Sequence, residues 1–265
     1  MVCAVAYLGP FLAPYESDEF ATSPYAVPSA DNLLGGDVLG RDVLSRILLG
    51  GSTLLTVAIL ATLLGLALGA FAGIWSAYRR GIVETVVMRT VDIILAIPTL
   101  VFALLLVSVV GPQLWLVVVA VGISHAPQVA RVIYGAAQDL VERDFVKAVA
   151  LLGVPSGRIM RREILPNLAT PLLVEAGLRL SYSIIIISGL SFLGFGVQPP
   201  DPDWGVMINE NRLGLPVNAW SVVAPAILIA LLAVGTNTLA DAVAGAGLGE
   251  ERGEDPTVSD LRGGR

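Results

Sequence analysis

The sequence predicts an all-α, polytopic membrane protein, and three observations carry that prediction. Mean hydropathy is +0.79. Only 14% of the 265 residues are charged, against 55% apolar; a water-soluble surface of this size demands more polar residues. Uncharged stretches run over 1–15, 47–78, 93–130, 180–200 and 213–240. A bilayer's hydrocarbon core is roughly 30 Å thick and takes about 20 helical residues to cross, and several of these runs are at least that long.

Taken in order, the pattern gives about six spans. Residues 1–13 are apolar but stop at Pro14; thirteen helical residues reach only about 20 Å, so this first span is expected either to be completed by flanking residues or to belong to a longer helix. Residues 14–36 are rich in Pro, Ser, Asp and Glu and read as an extended loop, followed by an amphipathic lead-in, "GDVLGRDVLSRILLGG". A second span is expected over 52–75, ended by "YRRG", and a third over about 86–110, with Glu84, Arg89 and Asp92 on its approach, the last two as orientation anchors. Gly111-Pro112 marks a tight reversal into a fourth span at 113–133. A charged cassette occupies 134–166, a fifth span 168–192, and the Pro/Asp-rich "GVQPPDPDWG" opens the next connection. A last span at about 220–241 precedes a polar tail, 242–265. In domain terms, 1–51 precedes a transmembrane unit at 52–241.

Six spans put both ends on one side. The connections on that side hold eleven Lys and Arg residues, the opposite connections only Arg41, Arg46 and Arg212. The positive-inside rule therefore places the termini and the cassette in the cytoplasm and the 14–50 and 193–219 connections outside. A cleavable signal peptide is not expected, because no basic residue precedes the first apolar run. One cysteine, Cys3, and one histidine, His125, leave no basis for a disulfide or a cysteine/histidine metal site. His125 reads as a helix-end residue without a catalytic role.

The cassette centres on "DFVKAVALLGVPSGRIMRREILPN", residues 144–167, which holds the single lysine, Lys147. Val141, Phe145, Ala148 and Leu152 recur at helical spacing and form one apolar stripe, with Arg143 and Lys147 off it. Gly153 stops a helix, Pro155 blocks its continuation, Ser156 is placed to cap a second short helix over 157–165, and Pro166 ends that one. This gives a helix-turn-helix between two spans. It reads as an interfacial helix with snorkelling arginines or as a docking element for a soluble partner.

The order of residues in "KAVALLGVPSGRIMRREILP" resembles the EAA loop of bacterial ATP-binding-cassette importer permeases. Ala148, Gly153, Ile164, Leu165 and Pro166 fit that pattern, whereas Lys147 stands where the family has Glu and Val149 where it has Ala. "LGGDVLGRDVLSRILLGG" and "GLSFLGFGVQPPDPDWGVMI" look like two further segments of dipeptide and oligopeptide permeases. The likeness extends from about 33 to 241 and is to the second, C-type subunit. It implies a non-catalytic subunit of the bacterial cytoplasmic membrane, lying in the bilayer and forming half of a translocation pathway. The implied partners are a second homologous permease, one or more cytoplasmic ATPases carrying ATP and Mg, and an extracytoplasmic peptide-binding protein. It implies no nucleic-acid partner, and no cofactor or metal is expected in this chain itself. ATPase coupling would fall to Val141, Phe145, Lys147, Ala148, Leu152, Gly153, Leu165 and Pro166. An outward-face motif comprises Gly40, Arg41, Asp42, Arg46, Gln198, Pro199, Pro200 and Trp204.

Physically, Asp42 and Arg46 are spaced as i, i+4 partners, and Trp204 suits a membrane interface. Glu175 and Arg179, four apart inside a span, are expected to neutralise one another. A Walker A site needs Lys after a Gly-rich turn; the one lysine lies in "DFVKAV", so ATP hydrolysis must come from another chain. No G-x-S-x-G elbow is present. An intramembrane enzyme lacks its nucleophile and base. A stand-alone secondary transporter would need coupling charges or repeats, for which Glu175 and Arg179 are the only candidates. Nickel or another small solute remains the alternative cargo.

Overall fold

The computed structural model describes residues 2–253. Its helices are α1 (Val2–Leu8, extended by a 3-10 turn to Phe11), α2 (Val43–Arg79), α3 (Gly81–Leu95), α4 (Thr99–Val110), α5 (Leu114–Val141), α6 (Asp144–Leu151), α7 (Ser156–Ile159), α8 (Ala169–Phe192), α9 (Trp204–Asn211) and α10 (Trp220–Gly253). Four stretches are long and apolar enough to cross a membrane: Val43–Arg79, Leu114–Val141, Ser156–Phe192 and Trp220–Ala240. The pair α3 and α4 is apolar enough only when taken together, and counts as a fifth if the bent pair is one span.

That pair departs from the straight third span expected over 86–110: the two helices meet at 86°. The break falls at Ala96-Ile97-Pro98, because Pro98 has no N–H to continue the ladder and pushes the residue before it out of helical conformation. The first span is likewise partial, ten apolar residues on the N-terminal half of α2, the half that the Lys and Arg distribution is expected to place outside, with Ala6 against Gly51. Helix α2 is longer than its expected 52–75. It begins at Val43, so the boundary drawn at 51/52 falls inside a helix. Its 37 residues extend about 55 Å, well beyond the hydrocarbon thickness. The fifth span matches its expected bounds. Helix α10 continues past Ala240 into the stretch read as a polar tail, and the tail after Gly253 lies outside the described residues.

The bundle's spine is the parallel pair α2 and α5. Gly65, Gly69 and Gly73 fall every four residues along one α2 stripe, and a Cβ at any of them would lie within 3.0 Å of α5, against His125, Val129 or the Ala130 carbonyl. Small residues at that spacing let two helix backbones approach closely, which is how helices associate where lipid removes the hydrophobic drive. Two cores follow. One lies in the outer half around Leu54, Ala58, Val117, Val121, Ile187 and Trp204. The other lies in the inner half, where Ile74, Ile133 and Leu140 meet Val146, Ile159, Ile164 and Leu168 of the cassette.

Candidate functional site

The cassette is built so that one of its faces is anchored and the other is bare. Helix α5 runs through Val141, so the expected stripe is not one helix: the chain breaks at Glu142-Arg143 and α6 starts at Asp144. Val146 is buried against the inner core while Phe145, Lys147 and Ala148 point away from it. Leu151 and Leu152 are 89% and 81% exposed. Three of the four stripe residues thus stand on the bare face, and Val141 is half-buried at the end of α5.

Gly153 takes φ +78 and donates its N–H to the Ala150 carbonyl at 3.0 Å. No atom lies near an added Cβ there, so the position requires glycine for its left-handed backbone and not for space. Pro155, not Ser156, occupies the cap of the next helix; Ser156 is its first residue and makes no capping bond. After one α-turn the chain widens into a π-turn, Met160–Ile164, and tightens into a 3-10 turn at Leu165–Leu168 before entering α8. Pro166, at the start of that 3-10 turn, cannot continue an α ladder. Leu165 is exposed beside it, while Ile159, Ile164 and Leu168 lock the segment to α2 and α5. Arg158, Arg161 and Arg162 are exposed.

The opposite end of the bundle holds a knot of buried charge. Arg46, 0% exposed, donates from Nη1 to Asp37 Oδ2 at 2.7 Å and to Glu210 Oε2 at 2.8 Å. Arg41 reaches the same two carboxylates, at 2.7 and 3.0 Å. The expected Asp42–Arg46 pair does not form. Asp42 instead caps α2, its Oδ2 accepting from the backbone N–H of Ser45 at 2.8 Å and its hydroxyl at 2.7 Å, because a carboxylate just ahead of a helix is drawn to the unpaired N–H groups of the first turn. Gly40, with φ +83, makes the turn that brings Arg41 back over Asp37.

Trp204 does not sit at a membrane interface. It is fully buried, and its Nε1–H donates to the Ile47 carbonyl at 2.9 Å, tying α9 to α2. Two residues that the sequence did not flag complete the tie. Asn211 Oδ1 accepts from the Val38 N–H at 2.8 Å. Asn218 Nδ2 donates to the carbonyls of Ala26, Leu34 and Gly36. Gln198, Pro199 and Pro200 are exposed beyond this knot, and the Gln198 side chain turns back onto the Gly194 and Gly196 carbonyls. Asp203 caps α9 through the N–H groups of Gly205 and Val206; burial pushes its carboxyl up to about 6 against the pull of those amides.

Within the bundle, Arg179 Nε donates to Glu175 Oε2 at 3.0 Å, the pairing expected from their spacing, and the guanidinium lies 5.3 Å from the centre of the Tyr182 ring. His125 is not at a helix end. It is buried mid-way along α5, with Nε2 3.0 Å from Ser183 Oγ, which in turn is 3.0 Å from Thr62 Oγ1. This places a polar junction where α2, α5 and α8 meet. Asp92, expected as an orientation anchor, pairs with Arg131 of α5, and Glu84 accepts from the Tyr134 hydroxyl.

Residues 65–246 match the family described as "Binding-protein-dependent transport system inner membrane component". The chain is 32% identical to the glutathione transport system permease protein of Pectobacterium atrosepticum over 91% of its length and 81% of the relative's. It is 32% identical to the dipeptide transport system permease protein of Haemophilus influenzae, covering 91% and 84% of the two chains. With the di/tripeptide transport system permease protein of Pseudomonas aeruginosa the identity is 34% over 91% and 82%. A solved inward-facing MetNI methionine ABC transporter contains a chain of the same fold, with TM-score 0.56 at 19% identity, covering 75% of this chain and 96% of that one. A helical bundle with an anchored, bare-faced inner cassette and a family match over more than half its length make this chain a member of the binding-protein-dependent transport system inner-membrane components.

Proposed function

We propose that this chain is the C-type permease subunit of an ATP-driven peptide importer. It forms half of the translocation pathway with a second, homologous permease and receives its driving force from separate ATPase chains at the cassette. The observation that carries this reading is the exposure of Phe145, Leu151 and Leu152 on a segment whose other face is locked into the inner core. An apolar face held rigidly at the mouth of a membrane bundle is matched to a soluble partner's groove, with Arg143 and Lys147 at its rim. Relatives named for glutathione, dipeptides and di/tripeptides support a peptide cargo. An external binding protein would deliver that cargo to the face formed by the 14–42 and 196–218 connections. The distribution of Lys and Arg supports cytoplasmic termini and a cytoplasmic cassette.

The test is co-purification of the complex from native membranes, followed by uptake in proteoliposomes. An ATPase and a peptide-loaded binding protein should accompany the chain, and uptake should require both. A cysteine at Ser156 should resist an impermeant thiol reagent added to intact cells, while one at Asp201 should react. A nickel-loaded binding protein, or ATP turnover by this chain purified free of every ATPase, would replace the reading.

A further inference from the structure

Helix α3 is held to the bundle in an unusual way. Its only buried side chain is Val91, and Ile82, Val86 and Ile93 are exposed. Between α3 and α5 lies an open cavity of about 570 Å³ whose walls carry Glu84, Arg89, Asp92, Arg131 and Tyr134. The charges there already face one another across the gap: Asp92 with Arg131, and Glu84 with the Tyr134 hydroxyl. Arg80, at the α2–α3 junction, adds a bond from Nη2 to Glu142 Oε1 at 3.0 Å. Arg89, also on the wall, makes no ion pair among the described residues, but the paired groups are occupied with each other. They join two helices.

What they join matters. Arg131 and Tyr134 lie on the inner half of α5, beyond Pro127, where the ladder loses one donor. That half is seated on α2 through Gly69 and Gly73 and continues within ten residues into the cassette. On the other side, α3 leads directly into the 86° elbow with α4. A displacement of the cassette therefore moves the inner halves of α2 and α5 as one body. It reaches α3 at one end through the Arg80 junction with α2 and, further along the helix, through these polar contacts to α5, with one side chain of α3 buried.

We infer that Arg131 and Tyr134 are positioning residues that tow α3, through Asp92 and Glu84, so that movement of the cassette swings the α3–α4 elbow. This rests on the proposed docking of an ATPase at the cassette. Two predictions separate this linkage from a merely structural contact. Asp92→Asn or Arg131→Gln should leave ATPase retention on the membrane unchanged and cut peptide uptake per ATP hydrolysed about tenfold. The charge-swapped double variant, Asp92→Arg with Arg131→Asp, should recover most of that ratio.

The experiment uses the complete transporter in nanodiscs and proteoliposomes. It includes a Glu84→Cys/Tyr134→Cys pair in a Cys3→Ser background, cross-linked by a short bis-maleimide. Because α3 is towed and does not part from α5, the cross-linked protein should still transport. Arrest of transport by the cross-link would overturn the inference in favour of a gate that opens between these helices. An unchanged uptake-to-ATP ratio in both single variants would overturn it outright, as would equal loss in the singles and the swap. Failure of the docking reading shows separately, as full ATPase retention by a Phe145→Ala/Leu152→Ser variant.

Discussion

The two ends of this molecule both concentrate arginine, and they use it in opposite ways. At the outer end Arg41 and Arg46 are buried and share Asp37 and Glu210. At the inner end Arg143, Lys147, Arg158, Arg161 and Arg162 are exposed and have no ion-pair partner among the described residues. The apolar side chains follow suit: Trp204 is enclosed and hydrogen-bonded at the outer end, whereas Leu151 and Leu152 are open at the inner end. A group whose contacts are already made inside the chain holds the fold. A rigidly presented group whose contacts are unmade is available to another chain. By that measure the motif residues Arg41, Asp42, Arg46 and Trp204 serve the fold, and the cassette is the face we propose as the interface.

The contrast breaks most visibly at Arg46. Arg46→Ala would leave the Asp37 and Glu210 carboxylates under-compensated, and removal of one partner from a buried ion cluster costs about 3–5 kcal/mol. Thermal unfolding in detergent should shift down sharply, with little folded protein recovered. A variant that folds normally but fails only to accept cargo would make the outer knot a recognition site instead.

At the other end, Phe145→Ala combined with Leu152→Ser should leave the unfolding temperature near that of the parent chain, because neither side chain is in a core. If a partner buries them, each is worth about 1.5–3 kcal/mol of association, to be read as ATPase lost from washed membranes. Gly153 sharpens the geometry of the same surface. A β-branched residue at a left-handed position costs about 1–2 kcal/mol, so Gly153→Val should impair coupling while Gly153→Asn, which tolerates that backbone, should retain most of it. Equal behaviour of the two would remove the turn from the mechanism.

The smallest effect is expected at Asp203. Its carboxyl pKa is raised in the folded protein from 3.8 to about 6, so the folded state binds that proton more tightly than the unfolded chain does. The stabilisation is complete below the unfolded value and is lost as pH rises through about 6. Asp203→Asn keeps an oxygen for the Gly205 and Val206 amides. It should therefore be neutral or slightly stabilising at pH 7.5 and flatten the change in unfolding temperature between pH 4 and 7. A clear loss of stability at pH 7.5 would show that the ionised form is the one the cap uses.

Much of this architecture is legible in the residues themselves. Long uncharged runs dictate spans, since a bilayer offers the backbone no water to bond. The fifth span and the exposed stripe at Phe145, Ala148 and Leu152 follow from local periodicity, the Gly153 turn from its backbone requirement, and the Glu175–Arg179 pair from i, i+4 spacing. These features depend on neighbours a few residues apart. The remainder was decided by partners far along the chain. Asp42 and Arg46 have the spacing of a pair, but the Ser45 amide stands next to one and Glu210, 164 residues away, next to the other. Trp204 finds the Ile47 carbonyl, His125 finds Ser183, and Asp92 finds Arg131. A charged or aromatic side chain takes the partner that folding brings within bonding distance, and only the packing of helices distant in sequence, α2 on α9, α5 on α8 and α3 on α5, determines which partner that is.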